Sequence, residues 1–339
     1  MFPAAFMPGT PSYHRLMKAV VADPTGGPEN LQYMDVPKPE PGEGEVLVKL
    51  EAIGVNFIDT YFRTGLYKAP EQPVRLGSEG AGIIEATGKG VTRWRKGQRV
   101  AYVLARGSYA EFAEVPETRL VELPDAISFE EGAAILLQGM TAHYLTHSTF
   151  ALKPGQHCLI QAAAGGMGLV LVQVAKIVGA TVIGTVSTKE KAKQATESGA
   201  NHIILYTETD FVQEVKRITG NKGVEVVYDS VGSTTFEKSL DCLRPRGLLA
   251  TFGQSSGPVA PVDPLVLNRK GSLFLTRPTL HDYVSDPGEL RWRASDVFQW
   301  MGEGRLKVHI HQVYALSDAA NAHRDLEGRK TTGKLVLKP

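Results

Sequence analysis

The sequence predicts an α/β protein: a doubly wound parallel sheet joined to a second unit of short antiparallel strands. Three observations carry this reading. Residues 157–168 run from a short apolar stretch through small residues and glycines into a helical pattern. Strand and helix patterns then alternate as far as residue 303. Before residue 128, short alternating runs recur between Gly and Pro turns.

In chain order, residues 17–21, 31–36 and 45–53 read as strands. In the third, Val46, Val48 and Leu50 alternate toward one half-buried face. Pro37, Pro39, Pro41, Gly42 and Gly44 punctuate the turn before it, and residues 77–88, 98–103 and 107–115 complete a compact, barrel-like β unit. The texture changes at Ser128, after which residues 129–137 and 139–146 are predicted as two helices. Cys158-Leu159-Ile160 is a buried strand, and Leu169, Val172, Val174, Ala175 and Val178 give the following helix its apolar surface. Residues 180–186 return as a second strand. A helix at 189–198, a strand at 203–205, a helix at 211–219 and a strand at 224–230 follow. A helix through Leu240 leads to strands at 247–253 and 272–276, giving a sheet of about six strands. After a helix at 289–301, residues 308–314 and 333–337 resume strand alternation. The C-terminus is therefore expected to rejoin the first unit, leaving the parallel sheet as an insertion.

The glycine turn has a chemical reading. Ala164, Gly165, Gly166, Met167 and Gly168 can bring bare backbone N–H groups and the positive end of a helix to a diphosphate. Ala163 stands where G-x-G-x-x-G has its first glycine, so plain close packing of helix on strand is the alternative. The second strand ends in Ser187-Thr188-Lys189-Glu190-Lys191, with no carboxylate at its tip to hold a ribose 2′-hydroxyl. Hydroxyls and lysines suit a 2′-phosphate, and Glu190 falls in the first turn of the next helix, where an acid is favoured. This predicts NADPH over NADH. The alternative is that the lysines form only a solvated helix face.

A chain of 339 residues with 42% hydrophobic residues predicts two domains with sizeable cores. With 37 basic and 36 acidic residues, the net charge of +1 gives no global field for nucleic acid or an anionic membrane. No apolar run approaches a membrane span, and prolines break residues 1–16, which read as a loose extension and not a signal peptide. A cytoplasmic protein is expected. Cys158 and Cys242 lie in apolar surroundings and read as buried free thiols, too few for a structural zinc. His309 with His311, and His143 with His147, share strand or helix faces but lack a third ligand, so hydrogen-bonded roles are expected.

Together with the glycine turn, several segments fall in a known family order. These are Gly54-Val55-Asn56-Phe57-Ile58-Asp59-Thr60-Tyr61, residues 77–88, Asp229-Ser230-Val231-Gly232, Phe252-Gly253-Gln254-Ser255-Ser256-Gly257 and Thr276-Arg277-Pro278. From about Met17 to Pro339 the chain resembles the zinc-independent, zeta-crystallin-like quinone oxidoreductases of the medium-chain dehydrogenase/reductase superfamily. The resemblance implies a GroES-like β-barrel catalytic domain (17–139 and 304–339), an inserted Rossmann domain (140–303), a cleft between them, and a homodimer formed through the Rossmann sheets. It places Asn56 and Ser78 where zinc-dependent relatives carry Cys and His, so metal-free chemistry is expected. It also implies that Asn56, Tyr61 and Tyr67 line the acceptor site, with core packing as the alternative for the tyrosines. Asp59 is expected to cap or support that wall. Ser187, Lys191, Tyr206 and Arg329 would surround the 2′-phosphate, and Thr141, Phe252, Gln254 and Leu275 would face the nicotinamide half. The implied activity is NADPH-dependent reduction of a quinone by transfer from nicotinamide C4. Reduction of a conjugated enone is the neighbouring alternative. A non-catalytic NADPH- or RNA-binding crystallin-like protein is the alternative from another class, and the near-neutral charge argues against its RNA arm.

Overall fold

The computed structural model describes residues 15–328 and 331–339. Arg329 and most of the expected N-terminal extension lie outside the described residues. The first half of the chain holds β1 (Leu16–Ala22), β2 (Leu31–Pro37), β3 (Glu45–Val55), α1 (Phe57–Arg63), β4 (Val74–Arg75), β5 (Glu79–Thr87), β6 (Arg99–Val103), β7 (Phe112–Pro116) and β8 (Leu120–Glu122). A sixteen-residue helix, α2 (Phe129–Tyr144), leads out of it and ends in a π-helical turn at Leu145–Thr149.

The sequence suggested two helices here, and the structure corrects this. Gly139 does not break α2. A Cβ at that position would lie 2.9 Å from Val297 Cγ1, so the glycine lets α9 (Pro287–Gly302) approach. Ser128 caps α2, accepting from Glu131 N–H, while Glu131 accepts from Ser128 N–H in return. The helix runs unbroken through the expected domain boundary at 139/140 and packs against β3 and β5 as well as α9.

The parallel unit follows: β9 (His157–Ile160), α3 (Gly166–Val178), β10 (Thr181–Val186), α4 (Lys189–Glu197), β11 (His202–Leu205), α5 (Phe211–Ile218), β12 (Val224–Asp229), α6 (Phe236–Asp241), β13 (Leu243–Thr251), α7 (Leu265–Arg269), β14 (Phe274–Thr276) and α8 (Leu280–Tyr283), followed by α9. All of its strand pairs are parallel, in the order β11-β10-β9-β12-β13-β14. The order reverses between β9 and β12, and there a doubly wound sheet opens a crevice at its carboxyl edge. Apolar residues cover both faces of the sheet. Leu171, Val174 and Val297 belong to one core, and Val215, Phe236 and Leu240 to the other.

Finally β15 (Ile310–Ala315), α10 (Ala319–Glu327) and β16 (Lys334–Lys338) return to the first unit. β16 pairs antiparallel with β3 through Leu335↔Val55 and Leu337↔Ile53, as the C-terminal alternation suggested. β3 buries Val46, Val48 and Leu50 on one face as expected, and on its other face Lys49 stays exposed although Leu47 is only 3% exposed. Its strand partners are β5, β7 and β16, and α2 packs across it. α1, α10, β4 and β8 carried no reading in the sequence.

A candidate active site between the two sheets

One cleft of about 960 Å³ runs between the two units. Its floor is the turn after β9. The left-handed residue in this turn is Ala162 (φ 54°), one position before the alanine that replaces the first motif glycine. Ala163 fits because β10 offers Gly184 opposite it, where a Cβ would lie 2.7 Å from Ala163 Cβ. A Cβ on Gly168 would meet Ala162 O at 2.3 Å, and one on Gly166 would meet Gly333 O at 2.8 Å. Gly165 caps α3 in an extended conformation, so the helix begins in the cleft wall. A phosphate can therefore approach bare backbone N–H groups at a helix N-terminus.

Most of the residues expected at the cofactor meet here. Thr141, Ala164, Gly165, Gly166, Met167, Gly168, Ser187, Lys191, Tyr206 and Phe252 all line the cleft. Ser187 follows β10 and Tyr206 follows β11, while Lys191 lies in the first turn of α4 behind the Thr188 cap. Glu190 sits in that first turn too, as read from the sequence, and its carboxylate is held below its ordinary pKa by its own backbone N–H and the Thr188 hydroxyl. Two expected residues fall elsewhere. The Leu275 side chain packs into the core beneath the sheet and is not in the wall. Gln254 is likewise outside the wall, and its backbone N–H donates to the Tyr61 hydroxyl (3.2 Å). The sequence reading missed Glu208, Asp210 and Lys238, which stand at the Tyr206 end of the cleft. Asp210 caps α5 and pairs with Lys238 at 2.7 Å, a hydrogen bond that lowers the pKa of its carboxyl.

The opposite wall is built by β3, α1 and β16. Asn56, Tyr61 and Tyr67 line the cleft as expected. The Tyr61 and Tyr67 rings meet edge to face, with centroids 5.2 Å apart. Burial raises the pKa of the Tyr61 hydroxyl, so it stays protonated while it accepts from Gln254 N–H. Its own proton can therefore be donated into the cleft.

The Asn56 amide is engaged within the wall itself. Its Nδ2 donates to Glu79 Oε1 (2.7 Å), and its Oδ1 accepts from Lys334 Nζ (2.6 Å). Lys334 Nζ also donates to Glu79 Oε1, and Glu79 Oε2 accepts from Leu137 N–H (2.8 Å). The Glu79 and Lys334 side chains are 0% and 2% exposed. This buried ion pair, 255 residues apart in sequence, is the feature of the wall that sequence reading missed.

Asp59 lies behind the wall and not in it, matching the supporting role expected for it. It accepts from Asn56 N–H (2.9 Å) in a capping box at the start of α1, and from the Ser78 (3.3 Å) and Tyr109 (3.1 Å) hydroxyls. Burial pushes its pKa up to about 7. The Tyr109 hydroxyl also meets His323 Nε2 at 2.9 Å, and burial, aided by Arg63, pushes that imidazole down to about 3. Arg63 then pairs with Glu327 (2.7 Å), linking α1 to α10.

The remaining histidines and cysteines have structural surroundings. His143 and His147 stack at 4.3 Å, and His143 Nε2 meets Asp296 at 2.9 Å. His311 Nδ1 lies 3.4 Å from the Thr332 hydroxyl. Cys158 and Cys242 are buried free thiols whose pKa values burial pushes up to about 12. No group of three or more His, Cys, Asp or Glu among the described residues is placed to hold a metal. No helix of the described residues is long and apolar enough to cross a membrane.

Residues 166–283 match the family described as zinc-binding dehydrogenase, and residues 42–125 match the alcohol dehydrogenase GroES-like domain. The residues at Asn56 do not fit a zinc ion: an amide and a carboxylate hold a lysine ammonium, and the Ser78 hydroxyl is turned to Asp59. The chain is 49% identical over 315 residues to a quinone oxidoreductase of Pseudomonas aeruginosa, covering 93% of this chain and 97% of that one. It is 43% identical over 331 residues to a 2-haloacrylate reductase of a Burkholderia species, covering 96% and 99%. The crystal structure of Escherichia coli quinone oxidoreductase complexed with NADPH matches with a TM-score of 0.94 at 45% identity, covering 95% of this chain and all of that one. On this likeness over nearly its whole length, the chain belongs to the quinone oxidoreductase family of the medium-chain dehydrogenases/reductases.

Proposed function

We propose that this protein is an NADPH:quinone reductase that works without a metal. The observation that carries the reading is the continuous cleft, which joins a phosphate-binding turn at one end to a tyrosine-lined acceptor wall at the other. When bound, NADPH supplies the hydride. The backbone at Gly165, Gly166, Met167 and Gly168 would receive its diphosphate, and Ser187, Lys191 and Tyr206 would receive the 2′-phosphate. Thr141 and Phe252, which line the cleft, would flank the nicotinamide half. Tyr61 and Tyr67 offer a flat apolar face for the acceptor ring, which keeps water from the reacting atoms. The Tyr61 hydroxyl donates to the acceptor oxygen as negative charge develops there. Asn56, held by Lys334 and Glu79, shapes this wall. The ammonium among the donors at the family's metal position supports a reaction that needs no zinc.

Residues 17–139 and 304–339 act as the acceptor-side domain in this reading, and 140–303 as the nucleotide domain. A homodimer is supported by the outer edge of the parallel sheet, where β14 pairs only with β13 among the described residues and Phe274 is 60% exposed. The enzyme is assigned to the cytoplasm. Reduction of a conjugated carbon–carbon double bond is a second reading, favoured by the likeness to a relative named 2-haloacrylate reductase.

Steady-state oxidation of NADPH with a panel of quinones and a panel of enones tests both. Turnover confined to quinones supports the first reading, and turnover confined to enones supports the second. Absence of NADPH oxidation with either panel overturns both.

A further inference from the structure

We propose that Arg277 makes the acceptor end of the cleft an anion-binding subsite, so that this reductase prefers small conjugated acceptors carrying a carboxylate. The inference rests on the NADPH-dependent reading and narrows its substrate class.

It follows from where the charges of the cleft lie. The acidic residues of the wall, Glu208 and Asp210, both stand at the adenosine end near Tyr206, and Asp210 is paired with Lys238. At the opposite end the polar side chains Asn56, Tyr61, Tyr67 and Tyr144 are neutral. Lys334 is there too, but its charge is matched by Glu79 in a buried pair. That leaves Arg277, a wall residue with no hydrogen-bond or ion-pair partner among the described residues.

Position supports the same conclusion. Arg277 follows β14, the last strand of the sheet, whereas Ser187 and Tyr206 follow β10 and β11 at its other edge. A dinucleotide lying across the switch point therefore has its nicotinamide, and not its phosphorylated ribose, toward Arg277. The guanidinium acts electrostatically on the hydroxyls of both Tyr61 and Tyr144, working against the rise that burial imposes on their pKa values. Arg277 is itself exposed at the cleft mouth, so an entering anion meets it before any other unpaired charge of that end. A planar fork of N–H donors matches a carboxylate and leaves the acceptor's conjugated bonds free to lie along the tyrosines.

The test compares 1,4-naphthoquinone-2-carboxylate with its methyl ester, using the wild-type protein, Arg277→Met and Arg277→Lys. Arg277→Met is expected to lower kcat/KM for the carboxylate by about 10- to 100-fold, mostly through KM, and for the ester by less than about threefold. Arg277→Lys should fall between, because it keeps the charge and loses the fork. The Kd for NADPH, followed by nicotinamide fluorescence, should stay unchanged. Equal losses for both acceptors, no loss for either, or a comparable rise in the NADPH Kd would overturn the proposal. Titration of the NADP⁺ complex with naphthalene-2-carboxylate and naphthalene-2-carboxamide separates this from the reductase reading. Arg277-dependent discrimination without turnover keeps the subsite and removes the reductase, whereas turnover without discrimination does the reverse.

Discussion

The two walls of the cleft recognise their ligands by different means. The glycine-turn wall is mostly backbone: N–H groups, a helix end, and glycines whose missing Cβ atoms allow close approach. The facing wall is built from side chains, and its shape depends on buried charge, with Glu79, Lys334 and Asn56 locked together and Asp59, Tyr109 and His323 behind them. A backbone wall fails through crowding. A wall of buried charges fails when one partner goes and the other is left unpaired.

The largest effect should come from breaking that pairing. Glu79→Gln leaves the Lys334 ammonium buried without a counter-charge and should destabilise the protein by about 3–5 kcal/mol in chemical denaturation. Pairing it with Lys334→Met should recover a substantial part of the loss. A double variant as unstable as the sum of the two singles would show that the pair does not act as a unit.

The folded-state pKa of Asp59, about 7, lies above its ordinary 3.8, so its stabilising contribution is present below pH 3.8 and lost as pH rises through 7. For His323 the folded value of about 3 lies below the ordinary 6.5, so its contribution is present above 6.5 and lost as pH falls through that range. Between about pH 4 and 6.5 the two slopes oppose each other. Asp59→Asn removes one of them, so its stability relative to wild type should rise by about 1.4 kcal/mol per pH unit from about pH 4 to 7. A flat difference across that window would mean that Asp59 holds no proton there.

On the backbone wall, Gly168→Ala places a methyl 2.3 Å from Ala162 O, a backbone atom that cannot swing aside. It should cost about 1–3 kcal/mol of stability and weaken NADPH binding about tenfold or more. Unchanged affinity by fluorescence titration would show that the turn relaxes freely. The smallest effect is expected for Lys191→Ala, which should weaken NADPH by about tenfold while changing NADH less than about twofold. Equal losses would remove Lys191 from the 2′-phosphate.

The same contrast explains what the sequence made legible. The backbone wall is local: strand, turn and helix are contiguous from His157 to Val178, and their glycines and apolar spacing announce them. The whole parallel sheet could be read in that way. The Asp59 cap, expected from the resemblance, is equally local, Asn56 and Asp59 being three residues apart. The side-chain wall joins residues far apart in the chain. Lys334 reaches Glu79 across 255 positions, and Gln254 reaches Tyr61 across 193. No local pattern marks such pairs, so Lys334 read only as part of a strand tail. The break expected between residues 137 and 139 fails for a related reason, since Gly139 lies inside one helix and serves a neighbouring helix that begins at Pro287.

Metal-free passage of a hydride from NADPH to a quinone is the chemistry proposed for this cleft. It is tested most directly by single-turnover oxidation of enzyme-bound NADPH by menadione, after exhaustive dialysis against a chelator. Full amplitude, an unchanged rate on adding back zinc, and a primary isotope effect with NADPH deuterated at C4 are the predicted results. Loss of the reaction on chelation with recovery on adding zinc, or failure of NADPH to bind at all, would contradict the account.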